Sequence, residues 1–267
     1  MIITIGKPCA ISEKGSRRNN EDFIYPSPEA IDSDPNLFLV CDGVGGADKG
    51  EVASSLACDL FETYFSTFLE GEPNPKFINK AIQYTQAHFC SYVDAHPEAK
   101  GMATTLSMLY LSQKGATLAH VGDSRIYHIR NGKILYRTED HSLVNSLVKL
   151  GKITPEEALT HPQRNVITRA IQGTGEVAEA DVVVIPDVMP GDYFFMCTDG
   201  VLENVSERDL CSIFSMSLSS EVIKDQLMSL CLDRTRDNFS FYIIPIQNVT
   251  DMVGFKQNIL SFFYSLA

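Results

Sequence analysis

One pattern recurs four times along the chain: an apolar run meeting an aspartate. Residues 37–41 (LFLVC) are apolar without a break and lead directly into Asp42, with Gly43, Gly45 and Gly46 just beyond. An uninterrupted apolar run bounded by turn residues predicts a buried strand. The glycines let the backbone turn tightly and approach whatever the carboxylate holds. The same design returns at 193–200 (YFFMCTDG), ending on Asp199, and again where an apolar strand runs into Gly122-Asp123-Ser124-Arg125. Asp237 opens the fourth, NFSFYIIPI. A carboxylate at the edge of an apolar interior is costly unless it is paired or bound to a cation. Four of them at four strand ends therefore suggest one shared cation site.

Between these runs the period changes. Residues 2–11 (IITIGKPCAI) alternate loosely and predict one first strand, interrupted by the polar turn 15–22 before FIY resumes extended structure. Residues 27–36 form a Pro-, Ser- and Asp-rich loop. From Asp48 to Leu69, Val52, Leu56, Leu60 and Tyr64 share one helical face, and GEPNP ends that helix. A second amphipathic helix spans roughly 75–94. Residues 103–138 predict consecutive strands joined by hairpin turns, with Asn131-Gly132 a strong turn signal. Thr104 and Thr105 read as strand formers. A new helix follows, with Ser142 or Asp140 as its cap, and Pro155 opens another. Residues 142–170 thus form a helical, partly polar insertion that reads as a lid beside the site. Strands resume at ADVVVIP and DYFFMCTD, helices at about 206–214 and 219–232, and a central strand closes the core. The tail has helical spacing through Phe255, Ile259, Phe262, Phe263 and Leu266. Strand blocks separated by pairs of helices, with hairpin-rich antiparallel segments, give two sheets flanked by helices. That is an α+β fold rather than a doubly wound parallel one.

Composition narrows the function classes. A 267-residue chain with 44% hydrophobic and 21% charged residues suits one large soluble domain. No apolar run nears the ~20 residues of a membrane span, and the N-terminus lacks a secretory pattern. The net charge of −12 argues against nucleic acid or an anionic membrane as main partner. Seven cysteines, scattered singly without a CxxC pair, read as buried free thiols in a reducing, cytoplasmic setting.

Aspartates and backbone oxygens, without His or Cys ligands, select hard cations, magnesium or manganese before zinc. Two such ions acidify a shared water and stabilise displacement at phosphorus. The turn Gly15-Ser16-Arg17-Arg18-Asn19-Asn20-Glu21-Asp22 can give an arginine to a phosphate and its acids to metals or their waters. The alternative is a solvated loop with local ion pairs. The residues alone thus point to metal-assisted hydrolysis of a phosphate ester.

Eight elements in order then resemble one family, the metal-dependent Ser/Thr protein phosphatases (PPM, or type 2C), in their simple bacterial branch. They are RRNNED at 17–22, VCDGVGGADKGEVAS at 40–54, ATTL at 103–106 and AHVGDSRIY at 119–127, followed by EDHSLV at 139–144, RNVITRAI at 164–171, CTDG at 197–200 and DNFSFYIIP at 237–245. The resemblance covers about residues 3–246. It implies an α/β/β/α fold: a central β-sandwich of two mainly antiparallel sheets between pairs of helices, with a small helical flap at about 142–172. It places the phosphatase domain at 1–247 and a C-terminal amphipathic helix at 248–267. It implies hydrolysis of phosphoserine and phosphothreonine by a metal-bridging hydroxide, without a phosphoenzyme, using two Mn2+ or Mg2+ ions. Asp42 would bridge them, the Gly43 carbonyl would join one, and Asp199 and Asp237 would complete the other. Asp123, with Asp199, matches the acid that holds a third, weaker ion. Glu21 and Asp22 match acids that hold metal-bound water. Arg17 is the match to the phosphate-binding arginine, with Arg18 its competitor. The partners implied are a phosphorylated protein and an opposing Ser/Thr kinase, for a monomer.

Two departures stand out. Many eukaryotic members carry His after the Asp-Gly pair as a proton donor to the leaving group, whereas this chain has Val44. The proton must then come from elsewhere, such as a water on a metal held by Asp123. The element usually written RAIG ends here in Gln172-Gly173. His141 reads as structural support rather than an acid. The competing function is a catalytically silent relative acting as a binding or regulatory module; retention of Asp42, Asp199 and Asp237 counts against it. A third reading keeps the chemistry but directs it to anti-sigma antagonists.

Overall fold

The computed structural model describes residues 1–28, 35–45, 49–173, 176–216 and 218–250. Two antiparallel sheets form its centre. One carries β1 (Ile2–Ile5), β13 (Phe239–Thr250), β12 (Asp192–Cys197), β8 (Arg125–Arg130) and β9 (Lys133–Arg137) in that order, with β2 (Cys9–Glu13) also on β13. The other runs β10 (Ile171–Gln172), β5 (Ala103–Thr104), β4 (Leu37–Val44), β6 (Leu106–Ser112), β7 (Gly115–Val121) and β11 (Asp181–Ile185), with β3 (Asp22–Tyr25) on β4.

The strict two-residue period of a strand explains why β4 is apolar on both faces. Leu37, Leu39 and Cys41 pack on α1 (Lys49–Phe68) and α2 (Pro75–Ala95), in a cluster with Ala53, Phe61, Ile78 and Phe89. Phe38 and Val40 point the other way, into the layer between the sheets, where they meet Leu109, Phe194, Met196 and Tyr242. β12 alternates likewise. Its Phe195 and Cys197 face α5 (Asp199–Leu202), α6 (Glu207–Phe214) and α7 (Ser220–Cys231), against Val201, Leu210 and Ile223. The result is four layers, helices outside and two sheets within, as the sequence indicated. Asp42 and Asp22 follow the inward period of Val40 and Ile24, so both carboxylates enter the mouth of the inter-sheet layer.

Several elements differ from the sequence reading. The single strand expected over 2–11 is two strands that pair with successive parts of β13, Ile2–Ile5 with Thr250–Ile246 and Cys9–Glu13 with Ile243–Phe239. Pro8 on one side and Pro245 on the other lack the N–H groups that would continue the ladder. Asp42 does not end its strand: β4 continues to Val44, and Asp42 lies opposite Asp22. Asp199 is the first residue of the short helix α5 rather than the last of a strand. In the flap, α3 (Leu143–Lys149) is capped by Ser142 and α4 (Pro155–Leu159) by a Thr154–Glu157 capping box. Asp140 instead takes a two-pronged grip from Arg125. The β-branched run 166–171 is not helical; Ile167 bridges to Ser142, and buried Ile171 pairs with Thr104. β13 reaches Thr250, past the boundary expected at 248, and the tail helix expected to Ala267 otherwise lies outside the described residues, as does most of the 27–36 loop.

Candidate active site

The acids that open or interrupt the apolar runs come together at one end of the sandwich. The Asp42 and Asp199 carboxyls are within hydrogen-bonding reach of each other. Asp22, Asp199, Asp123 and Asp237 all bear electrostatically on Asp42. Burial, then the facing acids, hold Asp42 well above the usual carboxylate range. Burial likewise pushes Asp22 up to about 7, with Asp199 and Asp237 adding to it. Asp123 rises to about 7 by burial and then by Asp199 and Asp140, and Asp199 to about 6 by burial and then by Asp237. Glu21 joins the group from the backbone side, its carbonyl accepting from the Gly43 N–H at 3.0 Å.

Neighbouring residues hold this arrangement in place. The Thr104 hydroxyl donates to the Asp42 carbonyl at 3.0 Å, and the Thr105 Oγ1 accepts from the Asp42 N–H at 2.9 Å. Thr105 also meets the Ser124 hydroxyl at 2.8 Å, which ties the Asp123 turn to the Asp42 strand. Thr198 donates its hydroxyl to Asp22 Oδ2 at 2.9 Å. Asn238 accepts from the Glu21 N–H and donates to the Lys14 and Asn19 carbonyls, fixing the 14–21 turn against the bend that carries Asp237, just before β13. In sequence these five read as ordinary strand or loop residues. Ser124, Thr198 and Asn238 stand beside Asp123, Asp199 and Asp237 in the chain, which was the only signal available; Thr104 and Thr105 lie 62 and 63 residues from Asp42 and carried none.

Arg17 and Arg18 separate. Arg17 Nη2 donates to Asp237 Oδ2 at 2.7 Å, across 220 residues of sequence, so the ion pair is long-range rather than local. That bond keeps Arg17 firmly charged, and its side chain remains 57% exposed, at the open edge of the acid group. Arg18 is exposed. Val44 stands at the rim, 40% exposed, and offers no proton. His141 is buried away from the acids, against Gly122 and His120.

Whether the group fits hard cations is tested by its own unmet demands. Asp22 Oδ1 is buried without a hydrogen-bond partner. The donors are all oxygen, and burying so many carboxylates side by side is unfavourable until positive charge enters. The Gly43 and Gly50 backbones also leave no room for a side chain. A Cβ on Gly43 would lie 2.0 Å from the Gly50 carbonyl oxygen, and one on Gly50 would lie 2.7 Å from the Glu21 carboxyl carbon. The residues fit divalent ions held by oxygen.

An oxygen cage at the mouth of an α/β/β/α sandwich, with an arginine at its edge, defines the metal-dependent phosphatase class. Residues 15–232 match the family model described as protein phosphatase 2C. The serine/threonine phosphatase stp of Listeria monocytogenes is 34% identical over 199 residues, 73% of this chain and 77% of that protein. The structure of the Staphylococcus aureus serine/threonine phosphatase Stp1 aligns with a TM-score of 0.80 at 31% identity, covering 93% of this chain and 96% of that one. The catalytic domain of the serine/threonine protein phosphatase PstP, solved in complex with two manganese ions, aligns at 0.76 with 27% identity, covering 92% and 100%. The chain belongs to the protein phosphatase 2C family.

Proposed function

We propose that the chain hydrolyses phosphoserine and phosphothreonine in proteins, with Asp42, Asp199, Asp237 and the Gly43 carbonyl holding two Mn2+ or Mg2+ ions. The observation that carries this is the convergence of acids from distant parts of the chain around Asp42 with Asp22 Oδ1 left unpaired. When bound, such ions supply an acidified water that attacks phosphorus directly and the positive charge that displacement requires. Thr104 and Thr105 fix the Asp42 peptide, so its carboxylate needs no rearrangement to receive the ions. Asp22 and Glu21 accept hydrogen bonds from water at the site. Asp123, with Asp199, takes a further, weaker ion. Arg17, exposed beside Asp237, turns its fork onto the nonreacting phosphate oxygens and so sets the ester in line. The physiological client is a phosphoprotein made by a Ser/Thr kinase, and the chain acts as a monomer in the cytoplasm.

Turnover of p-nitrophenyl phosphate and of a phosphothreonine peptide, with Mn2+ and with chelator, tests this. Activity should require the cation and disappear in Asp199→Asn and Asp42→Asn with the fold retained. Absent turnover in the wild type would favour the silent-module reading instead, and turnover that survives the chelator would remove the cations from the mechanism.

A further inference from the structure

A second group of titratable side chains, His120, His141 and Asp181, lies outside the acid cage, with ligand atoms within 4.8 Å of one another. It resembles a metal site by composition, yet its geometry opposes one. The two imidazoles stack at 4.5 Å with their planes only 17° apart, so their in-plane nitrogens do not aim at one point. His141 Nδ1 already accepts from the Gly122 N–H at 3.1 Å, which leaves the ring proton on Nε2, facing Asp181 Oδ2 at 3.2 Å. A cation is present there already: Arg169 Nη1 lies 3.1 Å from His141 Nε2 and donates to Asp181 Oδ1 at 2.8 Å and to the Glu179 carbonyl at 3.0 Å.

The connections made by His141 point instead to a fastening. Its N–H donates to the Gly122 carbonyl at 2.9 Å while its ring accepts from the Gly122 N–H, so both polar groups of that peptide residue are held by one side chain and its backbone. Gly122 has φ +103, and a Cβ there would lie 2.5 Å from the Thr105 methyl, so the turn is tight. The next residue is Asp123. On its other side, the His141 carbonyl accepts from the Thr168 N–H at 2.7 Å, and Leu143 N–H donates to the Val166 carbonyl, so the flap's return segment hangs on the same residues. Glu139 takes His120 Nε2 on its carbonyl at 2.8 Å, which braces the stacked partner.

We propose that His141 is a positioning residue for Asp123: through Nδ1 it locks the Gly122-Asp123 turn, and through its backbone carbonyl to Thr168 and its Nε2–H to Asp181, which Arg169 also grips, it fastens that turn to the flap, so that Asp123 is presented to a cation in one orientation. This rests on the reading of Asp123 as a cation-holding acid. Its consequence is a division of labour within one ring, Nδ1 serving the metal side and Nε2 the flap side.

Asparagine and glutamine separate the two nitrogens, because the Asn amide oxygen occupies the place of Nδ1 and the Gln amide reaches that of Nε2. Mn2+ binding is followed by calorimetric titration of the full chain, and separately by the Mn2+ concentration giving half-maximal p-nitrophenyl phosphate turnover. Loss of a partner that orients a metal-holding group weakens affinity by about tenfold or more. His141→Gln and His141→Leu should therefore weaken the weakest Mn2+ step by about that factor, with kcat at saturating Mn2+ nearly retained, while His141→Asn keeps near-native affinity. A general packing loss would treat Asn and Gln alike, and equal affinities for the two would overturn the proposal. Should the Leu variant not fold, the Asn and Gln pair carries the test alone. Asp123→Asn is measured alongside. If it weakens the same step and His141→Gln does not, the positioning role falls and the Asp123 reading stands. If Asp123→Asn changes nothing, both fall.

Discussion

Asp22→Asn should make the metal-free protein more stable, although it removes an acid from the site. Asp22 is 5% exposed, its Oδ1 has no partner, and its Oδ2 accepts from the Thr198 hydroxyl, with Ser240 also bonding the carboxyl group. Burial and neighbouring acids move its carboxyl from 3.8 to about 7. Each tenfold change in a proton equilibrium is worth about 1.4 kcal/mol, so the ionised side chain costs the folded state about 4 kcal/mol at pH 8. Between pH 4 and 7 the folded chain binds more protons here than the unfolded one, so this contribution to stability falls as pH rises through that range. An uncharged amide of the same shape keeps an acceptor for Thr198 and donates towards the acids. Since the neighbouring acids then ionise more readily in its place, about half the cost should be recovered, about 2 kcal/mol. For a domain of this size that corresponds to a melting temperature about 4–8 °C higher. The assay is thermal unfolding at pH 8 in chelator, at pH 5 in chelator, and at pH 8 with Mn2+. The gain should be clear in the first condition, small in the second, and lost or reversed in the third. A folded Asp22→Asn protein that melts no higher than wild type in chelator at pH 8 would refute the reasoning.

Arg17→Ala should mainly raise KM for phosphosubstrates in steady-state kinetics, with a smaller effect on kcat; a changed kcat with unchanged KM would remove it from the substrate's path. Asp192→Ala should cost about 3 kcal/mol in denaturant unfolding, because it leaves buried His128 without its carboxylate and half-buried Arg130 with only Asp187. Against burial, Arg130 and then His128 hold that carboxyl at about 2, so the stability it contributes is lost only as pH falls from about 4 towards 2. Burial and the stacked His120 lower His141 to about 4, so the unfolded chain takes up its proton first, and up to about 3 kcal/mol should be lost as pH falls from about 6.5 to 4. Melting curves of wild type and His141→Asn across that range should converge at the acid end if the assignment holds, and run parallel if it does not.

Much of the fold was legible because burial dictates period. The uninterrupted LFLVC run, bounded by turn residues, reads as a strand covered on both faces, and Val52, Leu56, Leu60 and Tyr64 read as one helical face. The break at Gly6–Pro8 was less visible, since its cause lies partly in Pro245, on another strand. The 166–171 run was misread as helical because its placement depends on Ser142 and Thr104, which sequence spacing does not reveal. The acids of the cage were legible by their position against apolar runs. Thr104 and Thr105 were not, because threonine in an extended run has the same local signature whether it merely forms the strand or holds the peptide of a buried acid, and Thr198 and Asn238 read as ordinary polar residues at an element's end. The resemblance put Arg17 ahead of Arg18, and the structure adds a physical difference that sequence could not show, the contact of Arg17 with Asp237, 220 residues away.

The central claim is that Asp42, Asp199 and Asp237 form one cage for divalent cations. Anomalous scattering from a crystal of the protein soaked in Mn2+ measures this directly. The account predicts at least two strong peaks contacting Asp42, one of them also contacting Asp199 and Asp237 and another the Gly43 carbonyl. Peaks confined to the surface, or none among these carboxylates at saturating Mn2+, would contradict it.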